Sequence, residues 1–229
     1  MTFLVLFDID KTLLTSAKHP ATHRKAFSFA IKKVYGINTK IDFIVHAGMT
    51  DQQIVRGLLV KAGVNDEKIT AGLGKCMELM NKYFLENLGE CELEPLPGVK
   101  ELLKKLEVKG FLLGLVTGNL EPIAWRKLEN AGLKAYFRLG GFGSDNPDRS
   151  KLVKIAMNRA EEQGFTLNKV FLLGDTIKDV KAGKANRVTV LAVATGDSTV
   201  EELKAEGADF VLENLEDTDG IVQLLGKPD

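Results

Sequence analysis

Short runs of apolar residues alternate with helical patterns along most of the chain. The first run, Phe3 to Phe7, is rich in aromatic and branched side chains, which is typical of a strand buried on both faces. Further runs of this kind occupy residues 111–116, 137–142, 170–173, 188–193 and 210–212. Apolar positions at helical spacing occupy residues 99–106, 120–131, 152–160 and 199–206. This alternation predicts an α/β fold with a doubly wound parallel sheet.

Residues 15–93 break the alternation, because they contain three helical patterns and no run that predicts a strand. The patterns share apolar residues at helical spacing: Ala26, Phe27, Ala30 and Val34; Ile54, Val55, Leu58 and Leu59; Leu73, Met77, Met80 and Phe84. Residues Thr50 to Gln53 fit a capping box, and we expect the Met and Phe positions to be core. We therefore expect residues 1–14 and 94–229 to form an α/β core and residues 15–93 a separate helical lobe inserted into it.

Charge, cysteine content and the length of apolar runs limit the partners and the cellular location that we expect. Lysine and arginine total 31 and aspartate and glutamate total 31 in the 229 residues, so net charge gives no case for a nucleic acid or membrane partner. The two cysteines, Cys76 and Cys91, form no disulfide or zinc pattern and are interpreted as ordinary thiols. No apolar run has membrane-spanning length, and Met1 leads almost at once into the first strand. We expect a soluble, cytoplasmic protein.

Two acids follow the first apolar run directly. Asp8 and Asp10 lie two positions apart, so in an extended segment their side chains point the same way. Two adjacent carboxylates repel unless a proton or a divalent cation lies between them, and carboxylate oxygens suit Mg²⁺. The alternative is that both acids cap the turn after a strand, where aspartate is common.

A hydroxyl and backbone amides follow the run at 111–116. Thr117, Gly118 and Asn119 stand just before a predicted helix, where they are suited to hold phosphate oxygens. The same residues also fit a simple helix cap.

Two more acids and two cations stand at later element ends. Gly174 and Asp175 follow the run at 170–173, and Asp179 comes four residues later, with the glycine allowing close approach of the backbone. Arg149 and Lys151 open the helix that begins near residue 150. Alone, each acid fits a helix N-terminus and each cation fits the surface. Because ligands in such sheets bind where the strands end, the joint pattern predicts a site for a phosphate and a metal.

The ordered set of motifs resembles the haloacid dehalogenase-like hydrolase superfamily, in which D-x-D-x-T, a Ser or Thr, a Lys or Arg, and G-D-x-x-x-D follow one another. The resemblance covers essentially the whole chain. It implies a Rossmann-like α/β core and makes residues 15–93 a mobile cap. Residues Leu96 to Val99 and the helical cap are most similar to the phosphoglycolate phosphatase-like branch.

The resemblance implies a role for each acid. Asp8 would be the nucleophile that forms an aspartyl-phosphate, and Asp10 the general acid and then base. Asp8, the backbone carbonyl of Asp10 and Asp175 would hold Mg²⁺, and Asp179 would support the metal shell. Thr117 and its two following residues would bind phosphoryl oxygens together with a cation.

Two positions depart from the family pattern. In the family, the phosphate-binding cation lies about one helix length before the glycine that ends the helix, and counting back from Gly164 reaches Arg149. The guanidinium of Arg149 can bind phosphate bidentately, and Lys151 is the second choice. Lys11 stands where the family usually has glycine, so the shape of that loop is open.

The expected function is Mg²⁺-dependent hydrolysis of a small phosphate monoester, phosphoglycolate-like or a sugar phosphate. The alternatives are a sugar phosphomutase of the same superfamily, a phospho-signalling receiver and a non-enzymatic phosphate-binding module, while Asp10 argues against a halide-releasing dehalogenase. Candidate substrate contacts are residues near the entrance and first boundaries of the cap: His19, His23, His46, Met49 and Thr50. The sequence does not indicate the physiological substrate or the oligomeric state.

Overall fold

The computed structural model describes residues 2–16, 21–89 and 93–226. Within these ranges the strands are β1 (Thr2–Phe7), β2 (Leu14–Ser16), β3 (Leu93–Pro95), β4 (Leu112–Thr117), β5 (Leu139–Phe142), β6 (Leu167–Gly174), β7 (Thr189–Val193) and β8 (Phe210–Leu212). The α-helices there are α1 (Ala21–Tyr35), α2 (Asp51–Lys61), α3 (Asp66–Asn87), α4 (Val99–Val108), α5 (Glu121–Asn130), α6 (Arg149–Glu162), α7 (Ile177–Ala185), α8 (Val200–Ala205) and α9 (Thr218–Leu225).

Six strands form one parallel sheet in the order β5-β4-β1-β6-β7-β8. Strand β1 lies at its centre, and its side chains alternate between the two faces. Val5 and Phe7 join an apolar cluster with α4, α5 and α9, whereas Leu4 and Leu6 join another with α6. Helices therefore cover both faces, and the predicted Rossmann-like, doubly wound α/β fold is confirmed.

Helices α1, α2 and α3 form what we call the helical lobe. They share an apolar cluster in which Phe27, Met80 and Phe84 are buried, as predicted, and which extends to Leu120 and Ile123 beside and within α5. The lobe therefore packs on the α/β part through apolar side chains as well as through its two chain connections.

The predicted start of the second lobe helix is confirmed. Thr50 is the N-cap of α2, and its side chain accepts a hydrogen bond from the Gln53 amide at 3.3 Å. The Gln53 side chain in turn accepts from the Thr50 amide at 3.2 Å, which completes the capping box.

The sequence pattern does not predict two short strands and the last helix. Strands β2 and β3 pair antiparallel, with Leu14 opposite Pro95, and three residues are too few to show a period of two. Helix α9 carries a short helical signal in Ile221, Val222 and Leu225, all buried, and begins after the N-cap Asp217.

Cys76 is a free thiol in the lobe, and burial raises its pKa to about 12. This agrees with its interpretation as an ordinary thiol, while Cys91 lies outside the described residues. Within the described ranges no helix is long and apolar enough to cross a membrane.

Two glycines on either side of α4 give a matched pair for a test of packing. Gly98 and Gly110 have φ of +80° and +78°, but only a Cβ on Gly98 would meet a neighbour, 2.0 Å from the Leu215 carbonyl oxygen. We predict that Gly98→Ala lowers the free energy of unfolding by about 3 kcal/mol and Gly110→Ala by about 1 kcal/mol, because only the first adds a backbone clash to the strain. Urea unfolding of both variants measures this, and equal losses would contradict the close approach.

Candidate active site

Two of the predicted acidic motifs meet where β1 and β6 end. The Asp8 amide donates to the Leu173 carbonyl at 2.9 Å, so the strand register places Asp8 beside Gly174 and Asp175. Both acids are buried, with 4% of Asp8 and 2% of Asp175 exposed. Thr12 Oγ1 donates to Asp175 Oδ1 at 3.2 Å and so links the two motifs directly.

A third acid, Asp179, joins them from the first turn of α7. The Thr176 amide and hydroxyl donate to Asp179 Oδ2 at 3.1 and 2.5 Å, which makes Asp179 part of a capping box. A Cβ on Gly174 would lie 2.3 Å from Asp179 Cγ, so the carboxylate reaches this position only because residue 174 is glycine. Oxygens of Asp8, Asp175 and Asp179, which we call the acidic trio, lie within 4.8 Å of one another.

Arg149 approaches the acidic trio from the first turn of α6. Its guanidinium donates to Asp179 and lies 3.4 Å from Asp8 Oδ1. The side chain is 8% exposed, and its Nε is buried without a hydrogen-bond partner among the described residues. This Nε–H group can donate a hydrogen bond to an anionic oxygen of a ligand.

The electrostatics of the trio favour a cation. Burial raises the pKa of Asp8 to about 7, with Arg149 opposing and the charges of Asp179 and Asp10 adding to the rise. Burial, Asp8 and Asp179 likewise raise the pKa of Asp175 to about 8. One guanidinium does not balance three buried carboxylates, and hard carboxylate oxygens are the donors that Mg²⁺ takes. The acidic trio is therefore a candidate Mg²⁺ site.

The Asp10 side chain turns away from the trio towards a second group of polar residues. Lys127 Nζ on α5 lies 2.7 Å from both carboxylate oxygens of Asp10, and Asn119 Nδ2 donates to Asp10 Oδ2 at 2.7 Å. Lys127 also donates to Asn119 Oδ1 at 2.8 Å, and the Asn119 amide group donates to Thr117 Oγ1 at 2.8 Å. We call Asp10, Lys127, Asn119 and Thr117 the lysine network.

The lysine network keeps Asp10 ionised. Burial alone would raise the pKa of Asp10, but the charge of Lys127, with smaller help from His23 and Asn119, lowers it to about 2. The carboxylate is half exposed to the cavity described below, so substrate can reach it. Sequence reasoning missed Lys127, since a lysine inside a helix is normally on the surface; it is only 5% exposed.

Thr117 to Asn119 do not cap the helix that follows them. The N-cap of α5 is Leu120, whose own side chain makes no capping bond, and its amide donates to Asp51 Oδ2 of the lobe at 2.9 Å. The Asp51 amide donates back to the Gly118 carbonyl at 2.8 Å. The simple cap interpretation is therefore wrong, and the Thr117 hydroxyl belongs to the lysine network.

A cavity of about 550 Å³ lies between the sheet edge and the helical lobe. Its lining includes Asp8, Asp10 and Asp175 on the sheet side and His23 and Phe84 on the lobe side. The structure thus brings Asp8, Asp175, Arg149 and the lysine network to one cavity large enough for a small-molecule ligand.

Several predicted residues lie elsewhere. Lys151 is exposed and does not line the cavity, because two positions after Arg149 a helical side chain faces another direction. This corrects its place as second choice for the phosphate-binding cation.

The Asp10 carboxylate is outside the acidic trio, so only its backbone carbonyl stays a predicted metal ligand. Of the substrate candidates, His46 lines the cavity and Thr50 does not.

The structure describes Met49, another substrate candidate, but not His19. Met49 lines the cavity, and a Cβ on Gly118 would lie 2.5 Å from its carbonyl oxygen, so the lobe backbone packs tightly on this loop. His19 lies outside the described residues.

Lys11 adopts a backbone conformation that favours glycine. Its φ is +63°, in the left-handed region. Its Nζ lies 2.5 Å from Asp197 Oδ1, and its carbonyl accepts a hydrogen bond from Thr195 Oγ1 at 2.5 Å. The loop therefore places a non-glycine residue in a conformation that favours glycine, and these two contacts hold it there.

Comparison with known proteins assigns the chain to a family. The sequence model of haloacid dehalogenase-like hydrolases matches residues 5–193. The chain therefore belongs to the haloacid dehalogenase-like hydrolase family, and the resemblance seen in the sequence is confirmed. Membership excludes the signalling receiver and confirms the predicted enzyme class over a non-enzymatic module.

Individual relatives agree with this assignment. The phosphoglycolate phosphatase of Aquifex aeolicus is 31% identical over 197 residues, which are 83% of this chain and 84% of the relative. A hydrolase from Pseudomonas syringae has a similar structure, with a TM-score of 0.70 at 21% identity over 99% of both chains. A protein from Bacteroides vulgatus assigned as a beta-phosphoglucomutase gives 0.67 at 22% identity, covering 98% of this chain and 88% of its own. The two structural likenesses establish the fold alone.

The lysine network generates a test of what holds Asp10 ionised. We predict that Lys127→Met raises the pKa of Asp10 from about 2 to its ordinary value or above, because burial then acts without the opposing ammonium. Titration of the Asp10 carboxyl carbon by NMR measures this. Arg126→Met, which removes the neighbouring charge on the same helix, is the control and should leave the titration unchanged. An unchanged titration in Lys127→Met would refute the assignment.

The acidic trio generates a test of stability against pH. The folded-state pKa values of Asp8 and Asp175 are raised to about 7 and about 8, so below these values the folded protein holds protons that the unfolded chain releases. Without divalent cations, stability therefore falls as pH rises from about 5 to 8. We predict that Mg²⁺ raises the Tm by about 5 °C or more at pH 8 and by less at pH 5.

We expect Asp175→Asn to reduce both the fall in Tm with rising pH and the increase in Tm that Mg²⁺ causes. The control is Asp219→Asn, since the Asp219 side chain is 88% exposed and far from the trio in sequence and fold. Calorimetry in the presence of chelator measures the Tm of both proteins as a function of pH. If the Tm of Asp175→Asn fell with pH as steeply as that of the parent protein, the prediction would be wrong.

Proposed function

We propose that the protein is a Mg²⁺-dependent phosphatase that hydrolyses a small phosphate monoester, phosphoglycolate-like or a sugar phosphate, through an aspartyl-phosphate on Asp8. One observation carries the proposal: the Asp8 carboxylate, buried at the end of β1 within the acidic trio and beside Arg149, lines the same cavity as the lysine network. Family membership and the phosphoglycolate phosphatase relative support the reaction class. A phosphorylated metabolite in the cytoplasm is the partner this implies.

Asp8 supplies the nucleophile. One of its carboxylate oxygens forms a bond to phosphorus while the bond from phosphorus to the ester oxygen breaks, and the leaving oxygen takes a proton. The resulting acyl phosphate is labile. Water then attacks the phosphorus, the bond to Asp8 breaks, and inorganic phosphate leaves with the carboxylate restored.

Asp10 handles the proton in both steps. It rests as a carboxylate beside the Lys127 ammonium, so it must take up a proton before it can give one to the leaving oxygen. A phosphate dianion in the cavity repels the Asp10 charge and attracts Lys127, and both effects raise the pKa of Asp10. In the second step the ionised Asp10 accepts a proton from the attacking water.

The phosphate oxygens have several donors. Arg149 offers its Nε, which has no hydrogen-bond partner in the described part of the chain, and Thr117 and Lys127 also line the cavity. Asp8, Asp175 and Asp179 would hold Mg²⁺, together with the backbone carbonyl of Asp10 that the family pattern implies. When bound, the ion offsets the repulsion between the carboxylates and the phosphate.

The helical lobe serves as a cap over this site. Residues 15–93 form the cap and residues 1–14 and 94–229 the catalytic core in this proposal, which the lobe's own apolar cluster and its paired connections β2 and β3 support. The hydrogen bonds of Asp51 to the Leu120 amide and the Gly118 carbonyl hold the lobe against the core. Such closure admits a small phosphate monoester and excludes bulky polymers.

The test is phosphate release from a panel of small phosphate esters with Mg²⁺, with chelator, and with Asp8→Asn. We predict loss of activity in chelator and a fall of about a thousandfold or more in Asp8→Asn, as for other covalent nucleophiles. Asp219→Asn, an exposed acid, is the control and should keep the parent rate. Release by Asp8→Asn at the parent rate would contradict the nucleophile assignment, and a sugar phosphate isomerised faster than it loses phosphate would identify a mutase.

A further inference from the structure

The lobe half of the cavity differs from the sheet half. Its lining includes the partly exposed Met49 and Leu93, together with Leu88 at the C-cap of α3. Phe27, Ile54 and Phe84 also border it, but each is at most 5% exposed and offers it little surface. Under the proposed function the phosphate binds at the sheet half, so the leaving group of the substrate occupies this apolar half.

Aromatic rings form part of this wall. The His23 ring lies 5.0 Å from the Phe27 ring and 5.5 Å from the Phe84 ring, centroid to centroid. His23 Nε2 is buried 3.3 Å from Asp51 Oδ2, in a geometry that is not a hydrogen bond. Any positive charge on this imidazole is therefore already opposed by a buried carboxylate.

The cations of the cavity are already paired. Among the described residues that line it, every lysine and arginine has an acidic partner: Lys11 with Asp197, Arg24 with Asp42, Lys127 with Asp10, and Arg149 with Asp8 and Asp179. Five aspartates line the cavity against these four cations. His46 directs Nδ1 to the Ile44 carbonyl, 3.2 Å away.

A carboxylated leaving group would fit this half badly. A carboxylate buried against apolar walls without its own cation loses hydration that nothing replaces. The volume of about 550 Å³ is also in the range that encloses a drug-sized ligand, which a two-carbon acid would not fill. An uncharged alcohol with an apolar face loses little on entering and gains contact with the His23 ring and the apolar lining beside it.

We propose that the substrate is a phosphate monoester whose leaving group is an uncharged alcohol with an apolar, ring-sized face that packs against the His23 ring and the partly exposed Met49 and Leu93. This inference rests on the proposed phosphatase function and narrows it, since it disfavours phosphoglycolate itself. Selectivity here comes from the lobe walls, while the acidic trio and the lysine network act on the phosphate common to all esters.

The test compares esters that differ in one charge. With Mg²⁺ present, kcat/KM is measured for benzyl phosphate, 4-(hydroxymethyl)benzyl phosphate, 4-carboxybenzyl phosphate and phosphoglycolate. We expect the two uncharged leaving groups to exceed both carboxylated ones by about tenfold or more. The hydroxymethyl ester is close in size to the carboxylated ester, with one oxygen fewer, so a tenfold difference between them reports mainly charge. Equal or faster turnover of either carboxylated ester would overturn the inference and leave the phosphatase function standing.

Binding separates this inference from the reaction. Calorimetric titration of Asp8→Asn with benzyl and 4-carboxybenzyl phosphate measures the preference without turnover, and we expect the uncharged ester to bind about tenfold more tightly. Absence of phosphate release from every ester by the parent protein would overturn the proposed function, while tighter binding of the carboxylated ester would overturn the inference.

A variant pair checks that the lobe half sets the preference. Leu88→Arg places a cation at the cavity wall and should shift the ratio of kcat/KM towards the carboxylated ester by about tenfold. Leu85→Arg, three residues earlier on α3, is the control, because Leu85 is 43% exposed and does not line the cavity. The ratio compares two substrates on one protein sample, so partial misfolding cancels. Equal shifts in both variants would count against the assignment.

Discussion

The repulsion among three buried carboxylates is the constraint on which this site depends. Asp8, Asp175 and Asp179 lie within 4.8 Å of one another with Arg149 as their shared cation. Burial makes this charge expensive, and it leaves the pKa of two of the acids near neutrality. A divalent cation would relieve the repulsion, so the arrangement that weakens the metal-free protein is the one that suits the proposed metal site.

The parallel sheet is what concentrates these groups. Strand β1 lies between β4 and β6, so the residues that follow all three strands come to one edge. Helices α6 and α7 then add Arg149 and Asp179 from their first turns. Asp179 is both the N3 partner in the capping box of its helix and a member of the trio, so its structural use as a helix N-terminal acid is confirmed and is compatible with the predicted metal role.

Sequence reasoning reached the residues that follow strands and missed those whose role depends on packing. The alternation of apolar runs and helical patterns predicted the sheet and placed Asp8 and Asp175 at its edge. Lys127 has no such marker, because only the packing of α5 directs it inward to Asp10. The same holds for Asp51, which the capping box predicted as a helix start but not as the partner of the Leu120 amide. Strands of three residues, as in β2 and β3, carry too little pattern to be predicted.

The antiparallel pairing of β2 with β3 also bears on how such enzymes diversify. Leu14 lies opposite Pro95, so the chain leaves and re-enters the α/β part at neighbouring points. Ends held this close can accept a connecting segment of almost any length at small entropic cost. Between β2 and β3, one lobe could therefore be replaced by another with different cavity-lining residues. Such a replacement would leave the residues at the edge of the parallel sheet unchanged.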